Sequence, residues 1–110
     1  MNDAEITQQA AFAAQRESLC AALQTAAAKL RMGDDADGID AMLAAMSELK
    51  KLVEIDQKAL QPRIDLYQVL TAVKTLLLFI KNKDITGIAD LLDDVFYPIA
   101  KTVLEGSERI

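Results

Sequence analysis

The sequence predicts an all-α protein that folds as an up-down-up-down four-helix bundle made of two helical hairpins. Apolar residues recur at intervals of three and four in four successive segments, as expected of helices that bury one face. The chain has only 2 Pro and 4 Gly among its 110 residues, too few for a turn-rich β sandwich. Its hydrophobic content of 52% is enough for one closed core. We therefore expect a single domain over residues 1–110.

The first hairpin comprises helices one and two. The apolar stripe of helix one runs through an alanine-rich segment, and that of helix two continues without a polar interruption. These stripes are Phe12, Leu19, Leu23, Ala26 and Leu30 in helix one, and Ile39, Met42, Met46, Leu49 and Val53 in helix two. We expect residues 1–10 to fray at the start of helix one.

The turn between these helices reads MGDDADGID, and its aspartates raise the question of a calcium loop. An EF-hand loop requires an oxygen ligand at its first position, Gly at its sixth and Glu at its twelfth. If Gly38 is the sixth residue, Gly33 and Ala44 occupy the first and twelfth positions. Two strong ligands are then missing, so we expect no metal here. Instead, Gly33 should end helix one and Asp37 should cap helix two.

The second hairpin comprises helices three and four, joined to the first by a connection at 54–62. Pro62 should lie in the first turn of helix three, where its missing N–H has no intrahelical partner. Asp84 or Thr86 should cap helix four. The predicted inward stripes are Leu66, Val69, Leu70, Val73, Leu76, Leu77 and Ile80 in helix three, and Ile88, Leu91, Leu92, Val95, Ile99 and Val103 in helix four.

Helix four contains a proline within its apolar period. Because Pro98 removes one backbone hydrogen bond and its ring crowds the carbonyl four residues earlier, the helix should kink or break near Asp94. We expect helix four to end near Gly106, with residues 106–110 forming a disordered tail.

Charge and hydropathy argue against several classes of partner. The net charge is −5, from 17 acidic and 12 basic side chains, so counterion release would drive little nucleic-acid binding, and anionic lipid is a poor partner as well. The longest apolar run, LLLFI at 76–80, is too short to cross a bilayer. The start MNDAEITQQ lacks the basic and apolar regions of a signal peptide. We expect a cytoplasmic protein that contacts neither nucleic acid nor membrane.

Residues that carry chemistry are scarce in this sequence. The chain has no His, and Cys20 is its only cysteine, which excludes an intramolecular disulfide and a multi-cysteine metal site. A reactive cysteine normally has a cationic neighbour such as His, so we expect a small buried thiol. Glycine-rich phosphate loops are absent, and no Ser has a recognisable base partner. The sequence predicts no enzyme, no cofactor and no metal.

Two departures from the helical pattern indicate a protein interface. At about 100° per residue, Phe79 points away from the predicted inward face of helix three, alongside Ala72 and Thr75. On helix four, Tyr97 falls on the polar side next to Phe96, and aromatic residues are favoured at interfaces. We predict that these five residues form a homodimer or partner surface. The alternatives are that helix three is the most buried of the four and packs Leu78 and Phe79 inside the monomer, and that helix four curves around the bundle.

The order of elements resembles small bacterial helical-bundle proteins, including those of the flagellar export chaperone type. The resemblance covers about residues 19–104 and is carried by ALQTAAAKLRMGDDADGIDAML, DLYQVLTAVKTLLLFI and KNKDITGIADLLDDVFYPIAK. In those chaperones a bundle shields an aggregation-prone secreted subunit with hydrophobic grooves. The resemblance implies a non-enzymatic chaperone or adaptor that binds another protein or itself. The alternative is a small-ligand-binding or regulatory subunit of an enzyme complex, which would need polar groups converging inside the bundle.

Overall fold

The structure, a computed structural model, describes residues 3–59 and 61–101, and side chains from Ala10 onward. Four α-helices follow one another, and no described residue lies in a strand. The helices are α1 Asp3–Arg31, α2 Asp35–Gln57, α3 Leu66–Lys81 and α4 Ile85–Leu91, the last continued by a π-helical turn at Leu92–Phe96 and helical residues 97–101. The predicted all-α class is confirmed.

The four helices form two antiparallel hairpins arranged around α1. Helix α1 packs along α2 on one side and along α4 and its π-helical turn on the other, and α3 packs against α4. Helices α2 and α3 approach each other closely at few backbone positions. The order confirms the up-down-up-down bundle, with three closely packed helix pairs and a looser α2–α3 pair.

The core lies mainly between α1, α2 and α4, and α3 adds Val69, Ala72 and Leu76 to it. Its largest fully buried side chains are Leu19, Leu23, Met42, Leu52, Ile88 and Leu92. Each buried Leu contributes about 1.5–3 kcal/mol relative to an exposed one. Small residues let the helices approach closely: Ala26, Ala27, Ala45 and Ala89 are buried, and a Cβ added at Gly38 would lie 2.6 Å from Leu30 Cδ2. The predicted stripes of helices one and two are buried or half-buried as expected.

Helix α3 is rotated from the predicted orientation. Leu66, Leu70 and Leu77 were expected to face inward, but 48%, 52% and 60% of their surfaces are exposed. Its buried residues are Val69, Ala72 and Leu76. At 100° per residue, the buried face lies roughly 60° from the predicted one.

Local geometry at the two hairpin turns agrees in part with expectation. Gly33 ends α1 with φ +82°, and the N–H groups of Gly33 and Asp34 donate to carbonyls in the last turn of α1. Asp84 caps α4 by accepting a 2.9 Å hydrogen bond from the N–H of Gly87. The predicted cap at Asp37 is wrong, because α2 already begins at Asp35 and Asp37 lies in its first turn.

The connection between the hairpins lies later in the chain than predicted. Helix α2 continues to Gln57 and α3 begins at Leu66, so Pro62 lies in the connection and not in a helix. The N-cap of α3 is Asp65, whose Oδ1 accepts hydrogen bonds from the N–H groups of Tyr67 and Gln68 at 3.0 and 3.3 Å. Pro62 cannot begin the helix here because the chain first turns back on α2.

That turn is held by Asp56, the one buried charged side chain among the described residues, at 3% exposure. Its carboxylate accepts hydrogen bonds from the N–H of Arg63 at 2.9 Å and from the N–H of Ile64 at 3.0 Å. Ile64 is buried beside it. The last turn of α2 therefore fixes the path of the chain toward α3.

Helix four does not break near Asp94, and its hydrogen bonding changes there to a π-helical turn. The N–H of Tyr97 donates to the carbonyl of Leu92, five residues earlier, and the chain stays helical through residue 101. The widened turn ends two residues before Pro98 and includes Asp94, whose carbonyl a regular α-helix would place against the proline ring. The predicted Val103, the helix end near Gly106 and the tail at 106–110 lie outside the described residues. Fraying of residues 1–10 stays a prediction.

Candidate functional site

The structure places the five predicted interface residues largely inside the bundle. Ala72 and Phe96 are buried, with 4% and 2% of their surfaces exposed. Thr75, Phe79 and Tyr97 are half-buried, and both aromatic rings pack against the core. The expectation of an exposed surface is wrong for Ala72, which the rotation of α3 turns inward, and for Phe96, which is buried in the π-helical turn. That the five residues form an interface stays a prediction. The alternative holds only in part: Phe79 packs half-buried against the core, whereas 54% of the surface of Leu78 is exposed.

The exposed apolar surface lies instead on the other side of α3. Among the described residues, five of the seven large hydrophobic side chains that are exposed belong to this helix. Leu66, Leu70 and Leu77 follow one another at helical spacing and form what we call the leucine strip. Tyr67 and Leu78 are exposed about 100° farther around the helix. The remaining two are Met32, in the α1–α2 turn, and Leu43, on α2.

A groove of about 470 Å³ runs beside the leucine strip, between α2 and α3. Its walls are Met42, Leu43, Met46, Leu49, Lys50, Val53 and Glu54 from α2, and Val69, Val73, Leu76, Leu77 and Ile80 from α3. Ten of these twelve residues are apolar, and the two charged ones, Lys50 and Glu54, lie on α2. The lining of the groove is therefore apolar apart from these two side chains.

The groove and the leucine strip form one surface. Leu77 belongs to both, and Val73, half-buried in the groove wall, lies at the same angular position on α3 as the strip. Leu43 is exposed on the opposite wall. We call this combined surface, the groove and the strip together, the α2–α3 face.

Polar contacts tie α1 to both of its neighbours. The Glu48 carboxylate on α2 accepts hydrogen bonds from the Ser18 hydroxyl, at 2.9 Å, and from the Gln15 amide, both on α1. The hydrogen bond from Ser18 is the main reason that the pKa of Glu48 lies below its ordinary value. At the other end of α1, Arg31 pairs with Asp90 at 2.9 Å and with Asp93 at 2.8 Å. These contacts hold α1 to α2 and to the α4 region.

Cys20 is the one thiol of the chain, and the acidic side chains are the other groups that could hold a metal ion. Cys20 is half-buried, and burial raises the pKa of its thiol, which keeps it protonated. Over the part of the chain that the structure describes, no three His, Cys, Asp or Glu residues are placed to hold a metal ion. Within that same part, no helix has both the length and the apolar content required to span a bilayer.

Sequence periodicity missed the α2–α3 face because it assigned the leucine strip to the core. A usable signal was present in the run VKTLLLFIK, where apolar residues cover more of the helix than one neighbouring surface can bury. The resemblance to bacterial helical-bundle proteins stays a prediction. Comparison with protein-family models, with curated proteins and with solved structures finds no match to this chain.

Proposed function

We propose that this chain is a non-enzymatic protein-binding module of the chaperone or adaptor kind, and that its α2–α3 face receives an apolar helix of another polypeptide. The observation that carries the proposal is the continuity of the apolar groove with the leucine strip. Contiguous exposed apolar surface of this kind marks interaction sites in soluble proteins. A groove between two helices fits a third helix lying along it.

The energy available from this face is consistent with a binding site. Covering the three half-exposed leucines of the strip would contribute about 1 kcal/mol each, or about 3 kcal/mol together. A micromolar complex requires about 8 kcal/mol. The occupant must therefore also fill the groove walls between α2 and α3. Met42 and Met46 lie in that wall, and the flexible thioether side chain adapts to different apolar partners.

A small apolar ligand is the second candidate, in keeping with a ligand-binding or regulatory subunit. The groove volume of about 470 Å³ lies within the range of ordinary ligand pockets. Such pockets usually fix their ligand by several converging polar groups, and only Lys50 and Glu54 line this one. The exposed leucine strip also extends beyond what a small molecule in the groove would cover. Both features favour the polypeptide.

Site-specific photo-crosslinking in the cell of origin tests the proposal. A photoreactive residue at Leu70 should form a covalent adduct with a polypeptide, whereas the same residue at Met32 should not. Met32 is a suitable control because it is also apolar and is more exposed than Leu70, at 82% against 52%, but lies in the α1–α2 turn. Absence of a polypeptide adduct at position 70, or equal adducts at both positions, would contradict protein binding at this face.

A further inference from the structure

We propose that the occupant of the α2–α3 face is a second copy of this chain, in a two-fold dimer whose two α3 helices pack antiparallel through the leucine strip. The inference rests on the proposed function, since it names the polypeptide that the face receives. Three properties of α3 support it: the spacing of its apolar residues, the charges at its ends and the size of the face.

The apolar spacing on α3 is the same in both directions. Leu66, Leu70, Val73 and Leu77 are separated by four, three and four residues. In a two-fold interface each contact between two residues occurs twice, with the copies exchanged. An antiparallel pair would place Leu66 opposite Leu77 of the partner subunit and Leu70 opposite Val73 of the partner subunit. Every member of the series then meets an apolar side chain.

The ends of α3 carry complementary charges for this arrangement. Asp65 caps the N-terminus of the helix, and Lys81 lies in its last turn. Antiparallel packing brings Asp65 close to the last turn that contains Lys81 of the partner subunit. It also sets the two helix dipoles in opposite directions, which is the favourable orientation for neighbouring helices. A parallel pair would bring like charges together at both ends.

The area of the face is close to the smallest that a specific dimer interface requires. Helix α3 has 16 residues, so it is about 24 Å long. With α2 beside it, the face is about 20 Å wide, because each helix with its side chains is about 10 Å across. Two such faces bury roughly 1,000 Å², which reaches the lower limit for a specific protein interface.

The mass in solution is the first test. Light scattering should give twice the chain mass of 12.0 kDa for the wild type and a single chain mass for a Leu70→Glu, Leu77→Glu variant. A Met32→Glu variant, changed at an exposed residue outside the face, should stay dimeric. Unchanged helical circular dichroism shows that each variant is folded. A monomeric wild type, or a dimer that survives both glutamates, would overturn the proposal.

Disulfide trapping tests the antiparallel register without introducing charge. In a Cys20→Ser background, single variants Leu66→Cys and Leu77→Cys are oxidised separately and as an equal mixture. We expect a covalent dimer only in the mixture, because two copies of position 66 lie about 16 Å apart in the antiparallel pair. A covalent dimer in the Leu66→Cys sample alone would indicate parallel helices and overturn the proposal.

The experiments distinguish failure of the proposed dimer from failure of the proposed protein-binding face. If the wild type is monomeric but a residue at position 70 crosslinks to a different polypeptide, the second copy is ruled out and the protein-binding face stands. If the wild type is monomeric and position 70 yields no polypeptide adduct, both proposals are overturned. If the adduct at position 70 contains a second copy of this chain, both are supported.

Discussion

At the scale of single residues, Asp56 fixes the path of the chain between the two hairpins. Its buried carboxylate satisfies two backbone N–H groups of the connection between the hairpins. Leaving buried N–H groups without an acceptor costs about 1–3 kcal/mol. We expect Asp56→Ala to lower the free energy of unfolding by about 2–3 kcal/mol in urea titrations, and Asp56→Asn, which keeps one oxygen acceptor, to lower it less.

Asp35→Ala serves as the matched control, because Asp35 is exposed in the first turn of α2 and accepts no comparable pair of bonds. Its effect should stay within about 0.5 kcal/mol. Equal stability losses for Asp56→Ala and Asp35→Ala would show that the carboxylate of Asp56 does not hold the connection.

Glu48 gives the bundle a defined response to acid. Its pKa is lowered in the folded protein, chiefly by the hydrogen bond from Ser18, so the ionised form stabilises the fold. This stability is present above the unfolded value near 4.3 and is lost as the pH falls through the lower folded pKa. We expect thermal melts of Ser18→Ala to show a smaller loss of Tm between pH 5 and pH 3 than the wild type. Identical slopes would contradict this assignment.

Residue-level prediction succeeded in part where the chemistry is local. The helix end at Gly33 was predicted correctly, and Asp84 is one of the two residues predicted to cap α4, whereas the cap predicted at Asp37 was wrong. The role of Asp56 depends on a chain reversal eight residues later, and no local pattern signals it. The same reversal explains why Pro62 was placed wrongly.

At the scale of helices, periodicity predicts that α3 exists but not which way it faces. Leu66 through Leu78 include apolar residues at most angular positions, and any of several faces could be turned to the core. The packing of α3 against α4 selects the face with Val69, Ala72 and Leu76. An incorrect rotation exchanges surface for core, and for this reason Ala72 is buried and Phe79 half-buried while the leucine strip is exposed.

Two adjacent leucines on α3 test this rotation. Leu76 is fully covered, and Leu77 is mostly exposed. We expect Leu76→Ala to lower the free energy of unfolding by about 2–5 kcal/mol through cavity formation, and Leu77→Ala to lower it by less than about 1 kcal/mol. Urea titrations should be made in dilute protein, where self-association does not add to stability. A larger loss for Leu77→Ala would restore the orientation predicted from the sequence.

At the scale of the whole molecule, the four helices are not held equally. Helix α1 is joined to its neighbours by close backbone packing and by side-chain hydrogen bonds, whereas α3 relies mainly on α4. We expect backbone amides of α3 to exchange with deuterium faster than those in the middle of α1 in dilute protein. Mass spectrometry of the exchanged peptides measures this, and equal protection in both helices would contradict the unequal packing.

The hydrogen bonds between Asp56 and the connection also affect whether two chains can exchange hairpins. A bundle of two hairpins joined by one link can exchange its second hairpin with another copy, a domain swap, when that link straightens. In this protein, straightening the connection would break the two hydrogen bonds that backbone N–H groups donate to the buried carboxylate of Asp56. It would also expose Ile64. The reversal therefore disfavours a domain swap and keeps the two hairpins of one chain in the same bundle. The proposed dimer would then form between two complete bundles.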